Sequence, residues 1–390
     1  QPAAYQNTAV GGFSLQNNTT GGPNTAVGFN SLQANTTGGS NTAVGGSALA
    51  GNTTGSYNTA FGSLALSYGA TGTSNTAVGA NVLQNTTSQG NSGFGMNAAR
   101  NITTGGQNAV FGTEASVYST AGASNSAFGN VSLFTNTTGG SNTAVGDLAL
   151  YHNTTASNNN AFGVRALYFN TTGTQNTSVG LRASYLNTTG SWNTAMGYQA
   201  VYHNTTGTMN TGVGNAALWS NTTASFNTAV GASALYFNTT GESNTATGYE
   251  ALKTNTTGAS NTASGYRTLR TNTTGSQNTA SGSSSLYGNT TGLGNSAAGY
   301  RALTANTTGN YSVAVGQDSL YTNTTGQHNI AIGFMALYAN TTANNNVAIG
   351  YQALRSSTTA TENTALGYTS LALNTTGYSN TATGYQSLAN

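Results

Sequence analysis

The sequence predicts an all-β fold, a parallel β-solenoid of about 23 coils with a 17-residue repeat. Three observations carry this prediction. One motif recurs with a constant period along the chain, turn-forming residues fall at the same place in every copy, and each copy holds only two large apolar positions. A unit this short cannot bury a core alone, whereas stacked copies can, because each strand pairs with its equivalent in the next coil. We therefore treat residues 1–390 as a single continuous repeat domain.

The period is defined by the glycine that closes each Asn-Thr-Ala-Val-Gly string. These glycines run from Gly11 to Gly384, 23 in all, and the consensus reads N-T-A-V-G-x-x-A-L-x-x-N-T-T-G-x-x. Every step has the same length except the step from Gly79 to Gly95, which is one position shorter. Because the phase recovers at once, we expect one shortened corner to absorb the missing residue.

Each repeat offers two short strand-like pieces. The first is Asn-Thr-Ala-Val, as in residues 41–44, and the second runs through the Ala-Leu pair, as in residues 234–237. The closing Gly and the Asn-Thr-Thr-Gly string are typical of turns, because Gly permits positive φ and Asn and Thr bond to their own backbone. Pieces this short between turns are strands rather than helices.

Two columns of the stacked repeat are interpreted as the core, with small Ala residues between them. Leu occupies its position in 19 of 23 repeats, and the residue before the closing Gly is usually Val, Phe, Ile, Leu or Met. The second column turns polar or small at Thr247, Ser264, Ser281 and Ala298. Losing one buried apolar side chain costs about 1.5–3 kcal/mol, so we expect a weaker core over residues 244–300.

The composition excludes several classes of function. Charged residues make up 4% of the chain, against roughly 25% in an average soluble protein, and strict periodicity argues against disorder. The formal net charge of +2 is scattered, so no nucleic-acid partner is expected. No apolar run approaches the ~20 residues of a membrane span. With no cysteine, and with His152 and His203 three coils apart, we expect no metal, cofactor or catalytic site, and no enzyme activity.

An aromatic column lies one place after Leu, and a second group of tyrosines follows the closing Gly. Outward-facing rings in such columns could stack on sugars, whereas bland self-stacking is the alternative. The candidate glycan-contact aromatics are Tyr151, Tyr168, Tyr185, Tyr202, Trp219 and Tyr236.

Asparagine forms two further columns. The one that opens each repeat predicts an amide ladder, as in cross-β stacks. The other begins Asn-Thr-Thr, which is formally an acceptor sequence for N-glycosylation, although Asn and Thr are also good corner residues. The candidate glycosylation sites are Asn35, Asn136, Asn153, Asn170, Asn187, Asn204, Asn221, Asn238, Asn255, Asn272, Asn289, Asn306, Asn323, Asn340 and Asn374.

The repeat resembles the head repeat of the YadA-like trimeric autotransporter adhesins, whose motif reads roughly S-V-A-I-G-x-x-S/A. The nearest strings are those at residues 312–316, 329–333 and 346–350, and similar repeats occur in phage and bacterial tail-fibre shafts. The resemblance implies a left-handed β-roll, a side-by-side homotrimer and adhesion at a cell surface. The repeat departs from the family in being longer, with the excess near the Asn-Thr-Thr-Gly corner, and in having Thr where the family has its first apolar residue.

These observations favour a structural or adhesive extracellular surface fibre, or a virion fibre, whose partners are other copies of the chain and environmental or host glycans. Two large apolar residues per coil make a thin core, which also favours association. Two alternatives stay open. One is a fibril scaffold coated with covalent glycans, and the other is an ice-binding solenoid, suggested by regular Thr columns.

Overall fold

The computed structural model describes residues 6–389, which form two compact units divided between Asn193 and Thr194. Each unit is an all-β parallel solenoid in which every coil contributes one three-residue strand. The fold class predicted from the period is therefore confirmed. A single continuous domain over 1–390 stays a prediction.

The first unit contains eleven strands. They are β1 (Thr8–Val10), β2 (Thr25–Val27), β3 (Thr42–Val44), β4 (Thr59–Phe61), β5 (Thr76–Val78), β6 (Ser92–Phe94), β7 (Ala109–Phe111), β8 (Ser126–Phe128), β9 (Thr143–Val145), β10 (Asn160–Phe162) and β11 (Thr177–Val179).

The second unit contains twelve strands. They are β12 (Thr194–Met196), β13 (Thr211–Val213), β14 (Thr228–Val230), β15 (Thr245–Thr247), β16 (Thr262–Ser264), β17 (Thr279–Ser281), β18 (Ser296–Ala298), β19 (Val313–Val315), β20 (Ile330–Ile332), β21 (Val347–Ile349), β22 (Thr364–Leu366) and β23 (Thr381–Thr383).

Within each unit, a strand pairs in parallel with the strand of the next coil, and like positions lie opposite each other. Thr211 pairs with Thr228, for example, and Val213 with Val230. The shortened repeat keeps this register, since Thr76 pairs with Ser92. The corner absorbs the missing residue, as predicted, because Thr86 takes the buried corner place that Asn holds elsewhere.

The interior of a typical coil consists of Leu, two Ala residues and two Asn residues. In the coil around β14, Ala229, Ala234 and Leu235 are fully buried, and so are Asn227 and Asn238. Leu is confirmed as a core column. Most of the buried side chains beside the Leu column are small or carry an amide, so hydrogen-bonded asparagines supplement the thin apolar core.

The prediction that the residue before the closing Gly forms a second core column is wrong. The residue before the closing Gly points outward, and Val10, Phe61 and Leu366 are 56%, 53% and 47% exposed. The reason is the alternation of side chains along a strand. Once the central Ala of Thr-Ala-Val faces the interior, Thr and Val must both face away from it.

The weaker core over residues 244–300 stays a prediction, but its stated cause does not hold. Thr247, Ser264, Ser281 and Ala298 lie in the outward column and are exposed. Their polarity therefore removes no buried apolar surface. The Leu column in the same coils is intact and fully buried, at Leu252, Leu269, Leu286 and Leu303.

The prediction of a second strand in each repeat is also wrong. The Ala-Leu segment forms turns in which every second residue has a positive φ. Ser233 and Leu235 have φ of 55° and 49°, in the left-handed region, which costs roughly 1–2 kcal/mol for a residue with a side chain. Inter-coil bonds offset this cost: the Ser233 amide donates to the Asn215 carbonyl at 2.9 Å and the Leu235 amide to the Ala251 carbonyl at 3.0 Å. The segment is thus ladder-bonded without being β-strand.

Glycine is required at the closing position because of its backbone angle and because the backbone of the next coil approaches it closely. Gly231 has φ of 133°, and a Cβ added there would lie 2.5 Å from the Gly248 carbonyl oxygen of the next coil. The same collision recurs along the column. The glycine therefore sets how closely successive coils stack.

Candidate binding surface

The predicted aromatic column forms a ladder of stacked rings in the first unit. Each ring follows a buried Leu-column residue and leans on its equivalent in the next coil. Ring centroids are 5.2 Å apart for Phe134 and Tyr151, 5.2 Å for Tyr151 and Tyr168, and 5.3 Å for Tyr168 and Tyr185. The planes differ by only 11° to 15°.

The second unit carries its own ladder in the same column. Tyr202 and Trp219 have centroids 5.8 Å apart, and Trp219 and Tyr236 are 5.1 Å apart with planes at 7°. The structure therefore brings together, within their respective units, all six aromatics predicted from the sequence. Aromatic pairs of this kind add about 0.5–1.5 kcal/mol beyond their area burial.

The way the rings stack bears on what they can bind. Sugar rings pack on the faces of aromatic rings, but in a ladder each face is covered by the ring of the next coil. Tyr151 and Tyr168 are half-buried with a ring on both faces, and they present mainly their edges and hydroxyl groups. Tyr236 stacks on Trp219 on one face, and Lys253 takes this place in the next coil. Glycan contact by this column stays a prediction, and the geometry favours the self-stacking alternative.

A second row of rings lies beside the ladder in the first unit. The His152 imidazole stacks on Phe169 at 5.1 Å and 5°, and meets Tyr151 and Tyr168 edge-on at 4.7 and 5.0 Å. Burial among these rings lowers the pKa of His152 from its ordinary value. The same burial, followed by the neighbouring Tyr151, raises the pKa of Tyr168. This patch is therefore uncharged and apolar at neutral pH.

The tyrosines after the closing Gly form an exposed aromatic column. Phe334, Tyr351, Tyr368 and Tyr385 stack in turn, with centroids 5.2, 5.0 and 5.2 Å apart. In the coils of β15 and β16, Tyr249 and Tyr266 stack at 5.6 Å. These rings border the outward strand residues, which are apolar beside Tyr351 and Tyr368 and polar beside Tyr249 and Tyr266.

The strand-opening asparagines form the predicted amide ladder. The Asn227 side chain donates to the Gly241 carbonyl at 2.9 Å, and its oxygen accepts the Asn244 backbone N–H at 3.0 Å. The same arrangement repeats in both units. The prediction that stacked amides bond along the axis is confirmed.

The Asn-Thr-Thr corners place their amide nitrogens inside the coil. Asn238, for example, donates to the Asn221 side-chain oxygen and to the Gly241 carbonyl, each at 2.9 Å, and is fully buried. The other candidate glycosylation sites are likewise buried, except Asn374, which is part-buried. Glycosylation of these asparagines stays a prediction, and the geometry weighs against it, since a sugar would displace a ladder bond.

Charged side chains cluster in the second unit, which the scattered sequence positions did not indicate. The Glu250 carboxylate is buried and accepts from Lys253 at 2.7 Å, Arg267 at 3.0 Å and Arg270 at 2.7 Å. Burial alone would raise the pKa of Glu250, but the hydrogen bonds from Lys253 and Arg270 hold it at about 2. The signal that could have found this cluster is spacing, because Glu250 and Arg267 are one repeat apart.

A second ion pair uses the same spacing. Arg301 donates through Nε to the buried Asp318 at 2.8 Å. The Arg301 guanidinium also lies 5.0 Å from the Tyr300 ring centroid and 4.8 Å from that of Tyr321. These pairs occupy the column two places after the closing Gly, where the sequence analysis singled out no residue.

Within residues 6–389, no group of three or more acidic or histidine side chains could hold a metal ion. In that same part of the chain, no helix is long and apolar enough to cross a membrane. The absence of enzyme activity stays a prediction.

No protein-family model matches the chain, and no curated protein sequence matches it.

Proposed function

We propose that this chain is a structural and adhesive fibre of an extracellular surface or a virion, built from side-by-side copies. The observation that carries the proposal is the exposed apolar face that most coils present. Val230, Val315, Ile332 and Leu366 stand on this face, with Thr, Val or Ile at the first position of the same strands and no charged residue in them. Contiguous exposed apolar surface is typical of an interaction site.

The partner that fits this face is another copy of the chain. A second copy repeats its side chains at the same coil spacing of ~4.8 Å, so one favourable contact recurs at every coil. Stacked Phe94, Phe111 and Phe128, at 4.6 and 4.9 Å, offer broad rings for such packing. Three copies around one axis would bury this face, in agreement with the homotrimer that the resemblance to YadA-like adhesins implies.

Adhesion and fibre formation are tested separately. Electron microscopy of the purified chain should show unbranched particles of uniform width. Microspheres coated with the chain should be retained on polysaccharide-bearing surfaces under flow more than spheres coated with albumin. Globular particles without retention would reject the proposal.

One observation favours ice binding as a second candidate. The strand threonines, such as Thr211 and Thr228, point outward in register on a parallel sheet and alternate with Val213 and Val230. A regular Thr and Val surface of this kind could order water. Thermal hysteresis near the freezing point tests it, and its absence at high protein concentration would remove this candidate.

A further inference from the structure

We infer that Arg267 and Arg301 bind an acidic polysaccharide through the outer edges of their guanidinium groups. The inference deepens the proposed adhesive function by naming a ligand class, and it rests on that function. It places the site away from the six aromatics predicted from the sequence.

Each arginine is held by a buried carboxylate and by a tyrosine ring. Each uses Nε to bond a buried carboxylate, Arg267 to Glu250 at 3.0 Å and Arg301 to Asp318 at 2.8 Å. Each also lies over a tyrosine, 4.9 Å from the Tyr266 centroid for Arg267 and 5.0 Å from that of Tyr300 for Arg301. The guanidinium planes are therefore fixed before any ligand arrives.

The outer edge of each guanidinium is free to bind. The hydrogen bonds of Arg267 and Arg301 in the described structure engage Nε, and none engages a terminal nitrogen. The two side chains are 38% and 36% exposed. Paired N–H donors in one plane match a carboxylate or sulfate bidentately, which a lysine cannot do.

The two arginines lie in one column but lean apart along the stack of coils. Arg267 and Arg301 are two repeats apart, and Arg267 reaches Glu250 in the preceding coil whereas Arg301 reaches Asp318 in the following coil. The two guanidinium groups are therefore farther apart than the about 10 Å between their coils at a strand spacing of ~4.8 Å. Ser284 lies between them in this column and leaves space. A ligand that contacts both arginines must therefore be an extended polymer.

Charge and shape favour a polysaccharide over a nucleic acid. The local cluster holds Lys253, Arg267, Arg270 and Arg301 against Glu250 and Asp318, a formal charge of +4 − 2 = +2. Nucleic acids place a phosphate about every 3.4 Å along each strand and need many cations to hold them. Exposed tyrosines beside the arginines also supply apolar contact to sugars.

The test measures binding of the whole chain to immobilised hyaluronan, a linear polysaccharide with one carboxylate on every second sugar, at low and physiological salt. Dextran serves as the neutral polymer and a single-stranded oligothymidylate as the phosphate polymer. We expect binding to hyaluronan well above both. Equal binding to dextran or stronger binding to the oligonucleotide would overturn the inference.

The variant Arg267→Lys/Arg301→Lys keeps the charge and removes the paired donors. Each lost charge-assisted contact should weaken binding roughly tenfold. The matched control is Arg165→Lys/Arg182→Lys, which alters the same column in the first unit without buried carboxylate anchors. Equal binding by both variants would refute a specific site.

The failure of this inference is distinguishable from that of the proposed fibre function. Fibre width and native molar mass report on association, while hyaluronan binding is measured on whatever species forms. A chain that associates but does not bind hyaluronan rejects only the arginine site.

Discussion

Replacing Asn238 by Ala tests the claim that buried amides hold successive coils together. The change removes two donated bonds, to the Asn221 side chain and the Gly241 carbonyl at 2.9 Å each, and one accepted bond from Asn255 at 2.8 Å. All three partners are buried and would lose their contact. At about 1 kcal/mol for each net bond, and more where a buried group stays unsatisfied, we expect a loss of about 3–5 kcal/mol.

The effect should be local, because stacked repeats contact only their neighbours. Hydrogen exchange therefore suits it better than a single unfolding midpoint. The amide of Thr239, which donates to the Thr256 carbonyl at 2.9 Å, should lose protection by roughly a hundredfold or more.

The matched control is Thr240→Ala, in the same corner but with an exposed side chain. Surface changes of this kind usually stay within about 0.5 kcal/mol. If Asn238→Ala and Thr240→Ala slow or speed exchange equally, the amide ladder does not hold the coils together.

Further predictions follow from the same contacts. Ser357→Asn should stabilise the second unit by about 1–3 kcal/mol in thermal unfolding. The reason is that the Asn340 oxygen and the Ser357 hydroxyl are buried without partners where the ladder is interrupted. An unchanged or lower melting temperature would contradict this prediction. Leu235→Ala should cost about 2–5 kcal/mol by denaturant unfolding, and Thr240→Ala, at an exposed corner, much less; similar losses would contradict the core assignment. Since the pKa of Glu250 falls from 4.5 to about 2 on folding, its contribution to the free energy of unfolding should be complete above pH 4.5 and lost towards pH 2. In the Glu250→Gln variant, the free energy of unfolding should lose this dependence on pH, and an unchanged dependence would refute the assignment.

Much of the fold could be predicted from the period alone. A constant repeat with a fixed glycine indicates stacked coils, and the observed pairing of Thr211 with Thr228 follows directly. The Leu column and both asparagine columns were also identifiable. Each recurs at one place in the repeat, and an amide or a Leu repeated in register is stable only when buried or bonded to its copy.

The predictions that were wrong concern which side chains of a short strand face the interior and which segments are extended. In Thr-Ala-Val, the apolar Val suggests the interior, but only a small Ala fits beside the stacked Leu. The Ala-Leu piece looked extended because of its composition. Its actual left-handed twist at Ser233 and Leu235 is fixed by inter-coil hydrogen bonds that no local propensity encodes.

The candidate binding surface also has a part that the sequence predicts and a part that it does not. The aromatic ladders were predictable because rings recur one repeat apart. The arginine site was not, because its members differ in residue type, with Glu250 in one coil and Arg267 in the next. A search for opposite charges one repeat apart would have found Glu250 with Arg267 and Arg301 with Asp318.

The central claim is that copies of this chain associate through the exposed Thr and Val face. The most direct test is the molar mass in solution, measured by light scattering after size exclusion, first native and then denatured. We expect a native mass three times the denatured 39.1 kDa. A native mass equal to that of one chain would mean that the exposed face stays in solvent, and would contradict the side-by-side fibre.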